Sequence, residues 1–137
     1  MLNLTNLGKR FGTQWILRGL NLQVASGECV ALLGPSGCGK STALRLIAGL
    51  EAPDEGTIQL DGTLLNRIPA ERRRIGMVFQ SYALFPHLSV WDNLNLGLRI
   101  RGVTKAERME RIGAVLETVQ LTVQAEQRPH QLSGGQR

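Results

Sequence analysis

Apolar and polar residues alternate along the first third of the chain. Leucines stand at positions 2, 4 and 7, and "LNLQV" (20–24) has the same two-residue spacing. Because successive side chains of a strand point to opposite faces of a sheet, this spacing predicts half-buried β-strands. "CVALLG" (29–34) and "RIGMVFQ" (74–80) predict two fully buried strands, and "TIQLDG" (57–62) predicts a strand that ends in a turn.

Helical spacing replaces this pattern in three places. "ALRLIAGL" has apolar residues at 43, 44, 46, 47 and 50, which predicts a helix that "EAPDEG" (51–56) ends. Ser89–Asp92 has the form of a capping box and predicts a helix to about Arg101. Thr104–Glu107 is a second such box, and apolar positions 109, 112, 115, 116 and 119 continue its helix.

The composition is that of a soluble domain. The 137 residues are 42% hydrophobic, which is enough to form a core. The longest apolar run, Cys29–Leu33, is far shorter than the roughly 20 residues that a membrane span needs. The first ten residues lack the pattern of a signal peptide, so we expect Cys29 and Cys38 to be reduced thiols in a cytosolic compartment.

The net charge of +5 comes from one middle segment. Between Asn66 and Arg111 the chain has nine basic and four acidic residues, and 9 − 4 = +5 is the whole excess. A nucleic-acid patch and a solvated helical face are both consistent with this run. The solvated face is the more ordinary interpretation, so we expect no nucleic-acid partner.

Gly34–Ser41, "GPSGCGKS", matches the phosphate-loop pattern G-x-x-x-x-G-K-[ST]. Glycines at 34, 37 and 39 leave room for backbone N–H groups to surround phosphates, and the following helix directs its positive end at them. In this pattern Lys40 reaches the β- and γ-phosphates and the Ser41 hydroxyl ligates Mg²⁺. A glycine-rich turn that matches by chance is the alternative, but the predicted strand before the loop and the helix after it favour nucleotide binding.

A second motif narrows the class of nucleotide-binding protein. "LSGGQ" (132–136) follows "GPSGCGKST" (34–42) and "GMVFQSYALFPHLSVWDNL" (76–94) in this order. With these motifs the chain resembles, from about Leu2 to Arg137, the nucleotide-binding subunit of ATP-binding cassette (ABC) transporters. "PAERRRIGMVFQSYALFPHLSVWDNL" (69–94) is most similar to the ATPase subunits of bacterial solute importers.

The resemblance implies roles for individual residues. Phe11 would stack on adenine, although a core phenylalanine at a strand end is the alternative. Gln80 would be the Q-loop glutamine, which contacts Mg²⁺ and the attacking water; a polar residue that merely ends a strand is its alternative. Mg²⁺ would thus contact Ser41 and Gln80. The Walker A residues, which would bind the phosphates of ATP, are Gly34, Pro35, Ser36, Gly37, Cys38, Gly39, Lys40, Ser41 and Thr42.

The same resemblance implies two kinds of partner. The signature residues Ser133, Gly134, Gly135 and Gln136 would cap ATP bound to a second ATPase subunit in a head-to-tail dimer. The loop after Gln80 would dock onto transmembrane permease subunits. These partners imply a peripheral location on the cytoplasmic face of the inner membrane.

The fold class implied is α/β: a P-loop core with an N-terminal antiparallel β subdomain and a helical subdomain. We expect residues 1–80 to form the core, 81–130 the Q-loop and helical subdomain, and 131–137 the signature motif. The family's Walker B aspartate and catalytic glutamate would follow residue 137. "TIQLD", ending at Asp61, precedes the Q-loop and does not fit Walker B, so no catalytic residue is assigned within this chain.

The function implied is that of the N-terminal part of an importer ATPase subunit, with ATP and Mg²⁺ as cofactors. By themselves, we expect these residues to bind ATP weakly, to leave it unhydrolysed and to be marginally stable. One alternative is a soluble ABC ATPase acting on DNA or the ribosome, which the short spacing of about 50 residues between Gln80 and Leu132 disfavours. Another is a truncated product without a catalytic role.

Overall fold

An antiparallel sheet forms most of the first half of the chain. The computed structural model describes residues 1–137, which divide into two units, Met1–Met77 and Val78–Arg137. In the first unit, the strand order is β2-β1-β3-β4 and every neighbouring pair is antiparallel. The strands are β1 (Leu2–Phe11), β2 (Gln14–Val24), β3 (Glu55–Leu60) and β4 (Thr63–Leu64). The strands predicted from alternating leucines and from "TIQLDG" are therefore confirmed.

The core of this unit lies between the sheet and one helix. Leu4 and Leu7 of β1 and Ile58 of β3 are buried, as the alternation of their strands predicts. Helix α1 (Lys40–Ala48) adds Leu46, and Leu65 completes the cluster. The predicted helix is confirmed, and it ends where Gly49 takes a left-handed conformation with φ 83°.

A buried arginine holds the C-terminal end of α1. Arg73 is 5% exposed, and its Nη1 donates to the carbonyls of Leu46 at 2.7 Å and Ile47 at 3.0 Å. Its Nε donates to the Ile68 carbonyl at 2.7 Å. A Cβ on Gly49 would lie 2.5 Å from that Nε, so this glycine is what allows the guanidinium to approach the helix end. The interpretation of the basic run as a solvated face is therefore wrong for Arg73, because the helix end supplies carbonyls that need donors.

Two helices and three short 3₁₀ turns form the second unit. The Ser89 Oγ accepts from the Asp92 N–H at 3.1 Å, and the Thr104 Oγ1 accepts from the Glu107 N–H at 3.4 Å. Both predicted helix starts are confirmed. The helices are α2 (Val90–Ile100) and α3 (Lys105–Thr118), and the turns are Thr122–Gln124, Pro129–Gln131 and Gly134–Gln136. A further 3₁₀ turn, Ala70–Arg72, belongs to the first unit.

Two predicted strands are absent. Residues 29–34 and 74–80 form no ladder with any other segment, and Leu33 and Val78 are 91% and 96% exposed. The prediction of fully buried strands is wrong for this chain. A buried strand forms only where a neighbouring strand pairs with it, and neither segment has such a partner.

None of the helices combines the length and the apolar character that crossing a bilayer requires.

Candidate nucleotide-binding site

The loop before α1 leaves the start of the helix open. Gly39 is the N-cap, in a left-handed conformation with φ 93°, and no side chain caps the helix. The first helical bond runs from the Ala43 N–H to the Gly39 carbonyl at 2.8 Å. The N–H groups of Lys40, Ser41 and Thr42 therefore have no acceptor inside the helix. Together with the helix dipole, they are suited to bind an anion.

The three glycines of the loop serve different purposes. A Cβ on Gly39 would lie 2.7 Å from the Leu17 Cδ2 and 2.8 Å from the Ile16 carbonyl, so packing requires glycine there. A Cβ on Gly34 would lie 2.7 Å from the Cys38 sulfur. An added Cβ on Gly37 would have nothing within 4 Å, so packing does not require glycine there. Its φ of 82° is the reason for glycine at this position.

Lys40 folds back into the loop. Its Nζ donates to the carbonyls of Gly34 at 2.8 Å and Pro35 at 2.7 Å, and lies 3.5 Å from the Cys38 sulfur. No carboxylate forms an ion pair with it. The ammonium is thus held among the loop's backbone groups with its charge uncompensated, which is the arrangement that attracts phosphate.

A β-bulge brings β2 against this loop. Lys9 pairs with Leu17 and Arg10 pairs with Trp15, so Ile16 is an extra residue without a partner on β1. The Ile16 carbonyl and the Leu17 side chain are the groups that approach Gly39. The hairpin and the phosphate loop therefore meet at the bulge.

Phe11 ends β1 two residues after Lys9, at the turn of the same hairpin. The residue is 51% exposed, and the Lys9 Nζ lies 5.4 Å from the centre of its ring. The alternative interpretation of Phe11 as a core residue is wrong, because half of the residue is exposed. A ring in this position is available for stacking, and its assignment to adenine stays a prediction.

The remaining loop residues are accessible. Pro35, Ser36, Cys38 and Ser41 are exposed, and Thr42 is half-buried. The Ser41 hydroxyl is a hard oxygen of the kind that Mg²⁺ accepts. The donors of the loop therefore fit a phosphate group with its metal, although the roles assigned to individual residues stay predictions.

Gln80 belongs to the second unit. It is exposed and lies in a turn rather than at the end of a strand, with the Tyr82 N–H bonded to the Phe79 carbonyl at 3.0 Å. Tyr82 and Ala83 have φ of 62° and 52°, so the chain bends sharply here. Its contact with Mg²⁺ stays a prediction.

The signature residues form a single 3₁₀ turn. The Ser133 N–H donates to the Gln136 Oε1 at 2.9 Å, and the Gln136 N–H donates to the Ser133 carbonyl at 3.0 Å. Leu132 is buried, whereas Ser133, Gly134 and Gly135 are exposed. The turn is thus anchored by one leucine and presents its serine and glycines to solvent.

Sequence reasoning missed two residues of the first unit. Lys9 and Arg73 look like ordinary surface cations, yet the side chain of Lys9 is only 13% exposed and Arg73 is buried. The carbonyl that Lys9 contacts lies 43 residues away along the chain, and two of the three carbonyls that Arg73 contacts lie 26 and 27 residues away. No local sequence pattern therefore identifies either residue.

Comparisons with known proteins agree with this geometry. The sequence model of the ABC transporter family matches residues 17–137. The chain is 52% identical over 137 residues to the spermidine/putrescine import ATP-binding protein PotA of Hahella chejuensis. It is 51% identical over 134 residues to the maltose/maltodextrin import ATP-binding protein MalK of Yersinia pestis. All or nearly all of this chain aligns, 100% and 98%, but it spans only 38% and 36% of the lengths of these relatives.

A solved structure gives the same result for the fold. The ATP-binding cassette MJ0796, in a dimeric post-hydrolysis state bound to ADP and Pi, matches with a TM-score of 0.87 and 35% identity. The match covers 99% of this chain and 65% of that one. The fold is that of an ATP-binding cassette, in its N-terminal part. This chain belongs to the ABC transporter family.

Proposed function

We propose that this chain provides the ATP-binding part of an ABC importer ATPase subunit, with Mg²⁺ as its metal. One observation carries the proposal: the start of α1 is uncapped, and Lys40 lies unpaired within the glycine loop that precedes it. The motif order and the two importer relatives support the choice of importer. Nothing in these residues favours a particular solute.

Binding of a triphosphate would use groups that are already in place. The N–H groups at the start of α1 would donate to phosphate oxygens, and Lys40 would exchange its two backbone carbonyls for the β- and γ-phosphates. Ser41 would hold Mg²⁺, with Gln80 as the second predicted contact. When bound, the metal would supply positive charge that neutralises the charge on the phosphates.

The proposed partners would contact residues of the second unit. Ser133, Gly134 and Gly135 are exposed, which is consistent with donating to ATP bound by a second ATPase subunit. Tyr82 and Phe85, 54% and 47% exposed, are anchors of the kind enriched at protein interfaces and support docking of permease subunits at the inner membrane. The predicted organisation into 1–80, 81–130 and 131–137 belongs to this proposal.

A binding and turnover assay tests the proposal on these 137 residues. We expect saturable, Mg²⁺-dependent binding of ATP by calorimetry and no phosphate release above the buffer blank. The carboxylates that the resemblance assigns to the metal and the attacking water are not among these residues, so turnover has no base to assist it. Absence of ATP binding by the folded chain would refute the assignment, and Mg²⁺-dependent phosphate release would refute the expected inactivity.

Alkylation of Cys38 reports on the same loop. Cys38 and Cys29 are both exposed thiols, but only Cys38 lies beside Lys40. We expect saturating ATP to slow maleimide labelling of Cys38 and to leave Cys29 unaffected, because the bound phosphates cover the loop. Peptide mass spectrometry separates the two sites. Equal labelling of Cys38 with and without ATP would contradict the site.

A further inference from the structure

Lys9 is held in place by a loop rather than left in solvent. Its Nζ donates to the Ala52 carbonyl at 2.8 Å and lies 3.4 Å from the Asp54 Oδ2. Ala52 and Asp54 belong to the segment that connects α1 with β3. An ammonium with two fixed partners and 13% side-chain exposure keeps one position.

Asp54 is fixed in turn by β1. The Arg10 N–H donates to its carboxylate at 2.8 Å, and its own N–H donates to the Gly8 carbonyl at 2.9 Å. The hydrogen bond from the Arg10 backbone, with the nearby Lys9 ammonium, holds the pKa of the Asp54 carboxyl below its usual value. Asp54 therefore stays ionised opposite Lys9 at neutral pH.

This network places a positive charge on one side of the Phe11 ring. Lys9 and Phe11 are two residues apart on β1, so their side chains lie on the same face of the sheet. The Nζ is 5.4 Å from the ring centre, within the range of a cation–π contact. Since half of Phe11 is exposed, the ring retains a free surface for a ligand.

We propose that Lys9 is a positioning residue for nucleotide recognition: it fixes the Phe11 ring and draws electron density from it, so that the free surface stacks more strongly on a purine base. This rests on the proposed function, in which Phe11 receives adenine. Lys9 itself contacts neither base nor phosphate. An electron-poor ring favours an electron-rich purine, because stacking is strongest between surfaces of unlike charge distribution.

Binding of two ligands, ATP and inorganic tripolyphosphate, distinguishes an effect of Lys9 on base stacking from a general loss of charge or of structure. ATP carries a base, whereas inorganic tripolyphosphate has only the phosphates. Lys9→Met is expected to weaken ATP binding about threefold to tenfold and to leave tripolyphosphate binding unchanged relative to the control. The control is Arg10→Met, which removes the same charge one residue away, where the side chain lies over Trp15 instead, at 5.7 Å. Lys9→Arg keeps the charge, so its ratio of ATP affinity to tripolyphosphate affinity is expected to equal that of the unaltered chain.

Phe11→Ala distinguishes failure of this inference from failure of the proposed function. It is expected to weaken ATP about fivefold to a hundredfold and to spare tripolyphosphate, as loss of base stacking does. If Phe11→Ala leaves ATP binding unchanged, the adenine site itself is wrong. If Phe11→Ala weakens ATP while Lys9→Met does not, or weakens both ligands equally, the role of Lys9 is refuted.

Asp54→Asn provides a second variant should Lys9→Met fail to fold. Asparagine keeps an acceptor for the Arg10 N–H but removes the ionic partner that holds Lys9. The same selective loss of ATP affinity is expected, by about twofold to threefold, and an unchanged ratio of ATP to tripolyphosphate affinity in this variant overturns the inference.

Discussion

Lys40→Met is expected to weaken ATP binding by about tenfold to a hundredfold, the value of a charge-assisted hydrogen bond. The Lys40 ammonium is the only cation that the structure holds within the phosphate loop, bonded to the Gly34 and Pro35 carbonyls. Those carbonyls are exposed, so water replaces the lost donor and the fold is retained. Calorimetric titration with ATP measures the change.

Arg45→Met is the matched control for Lys40→Met. Arg45 is an exposed cation in the last turn of the same helix, so its removal lowers the net charge equally without touching the loop. ATP affinity is expected to stay within about threefold of the unaltered chain, since exposed charges are screened by salt. Equal losses of ATP affinity in both variants would mean that Lys40 acts only through the net charge of the chain and not through contact with the phosphates.

Arg73→Met is expected to lower the free energy of unfolding by about 2–3 kcal/mol, because it removes three hydrogen bonds and leaves the part-buried carbonyls of Ile47 and Ile68 without the donor they have here. Methionine fills much of the same volume, so the cavity term is small. Burial lowers the pKa of the guanidinium because it desolvates the charge. Replacing the charged group with methionine therefore removes this unfavourable desolvation free energy and offsets part of the loss. The free energy lost with the three hydrogen bonds is larger than this gain from avoided desolvation. Urea unfolding with an unchanged m-value measures the difference.

The neighbouring Arg72 supplies the control for this variant. Arg72 is exposed and makes no side-chain hydrogen bond, so Arg72→Met is expected to change the stability by no more than about 0.5 kcal/mol. A similar small effect for Arg73→Met would mean that the carbonyls of Leu46, Ile47 and Ile68 find other donors, and the account of the helix end would be wrong.

Short sequence patterns were sufficient to predict several strands and helices. The leucine alternation predicted β1 and β2, and the boxes at Ser89 and Thr104 predicted the starts of α2 and α3. In each case a residue and its partner lie within a few positions, so the sequence contains the whole interaction. The phosphate loop is equally local, since Gly34–Ser41 contains both the bend and the lysine that enters it.

Non-local contacts account for what the sequence did not reveal. Residues 29–34 and 74–80 are apolar enough for buried strands, but a strand forms only where a neighbour pairs with it. Arg73 looks like part of a solvated basic run until the end of α1 is folded beside it. Lys9 becomes a fixed charge only through the distant loop that contains Asp54.

The central claim is that the loop at Gly34–Thr42 binds the phosphates of ATP. Titration of the ¹⁵N-labelled chain with Mg-ATP, followed by amide chemical shifts, tests it most directly. Saturable shifts are expected, the largest of them at Gly34–Thr42, and they should disappear in Lys40→Met. A folded spectrum that does not respond to ATP, or saturable shifts that leave the loop unaffected, would contradict the account.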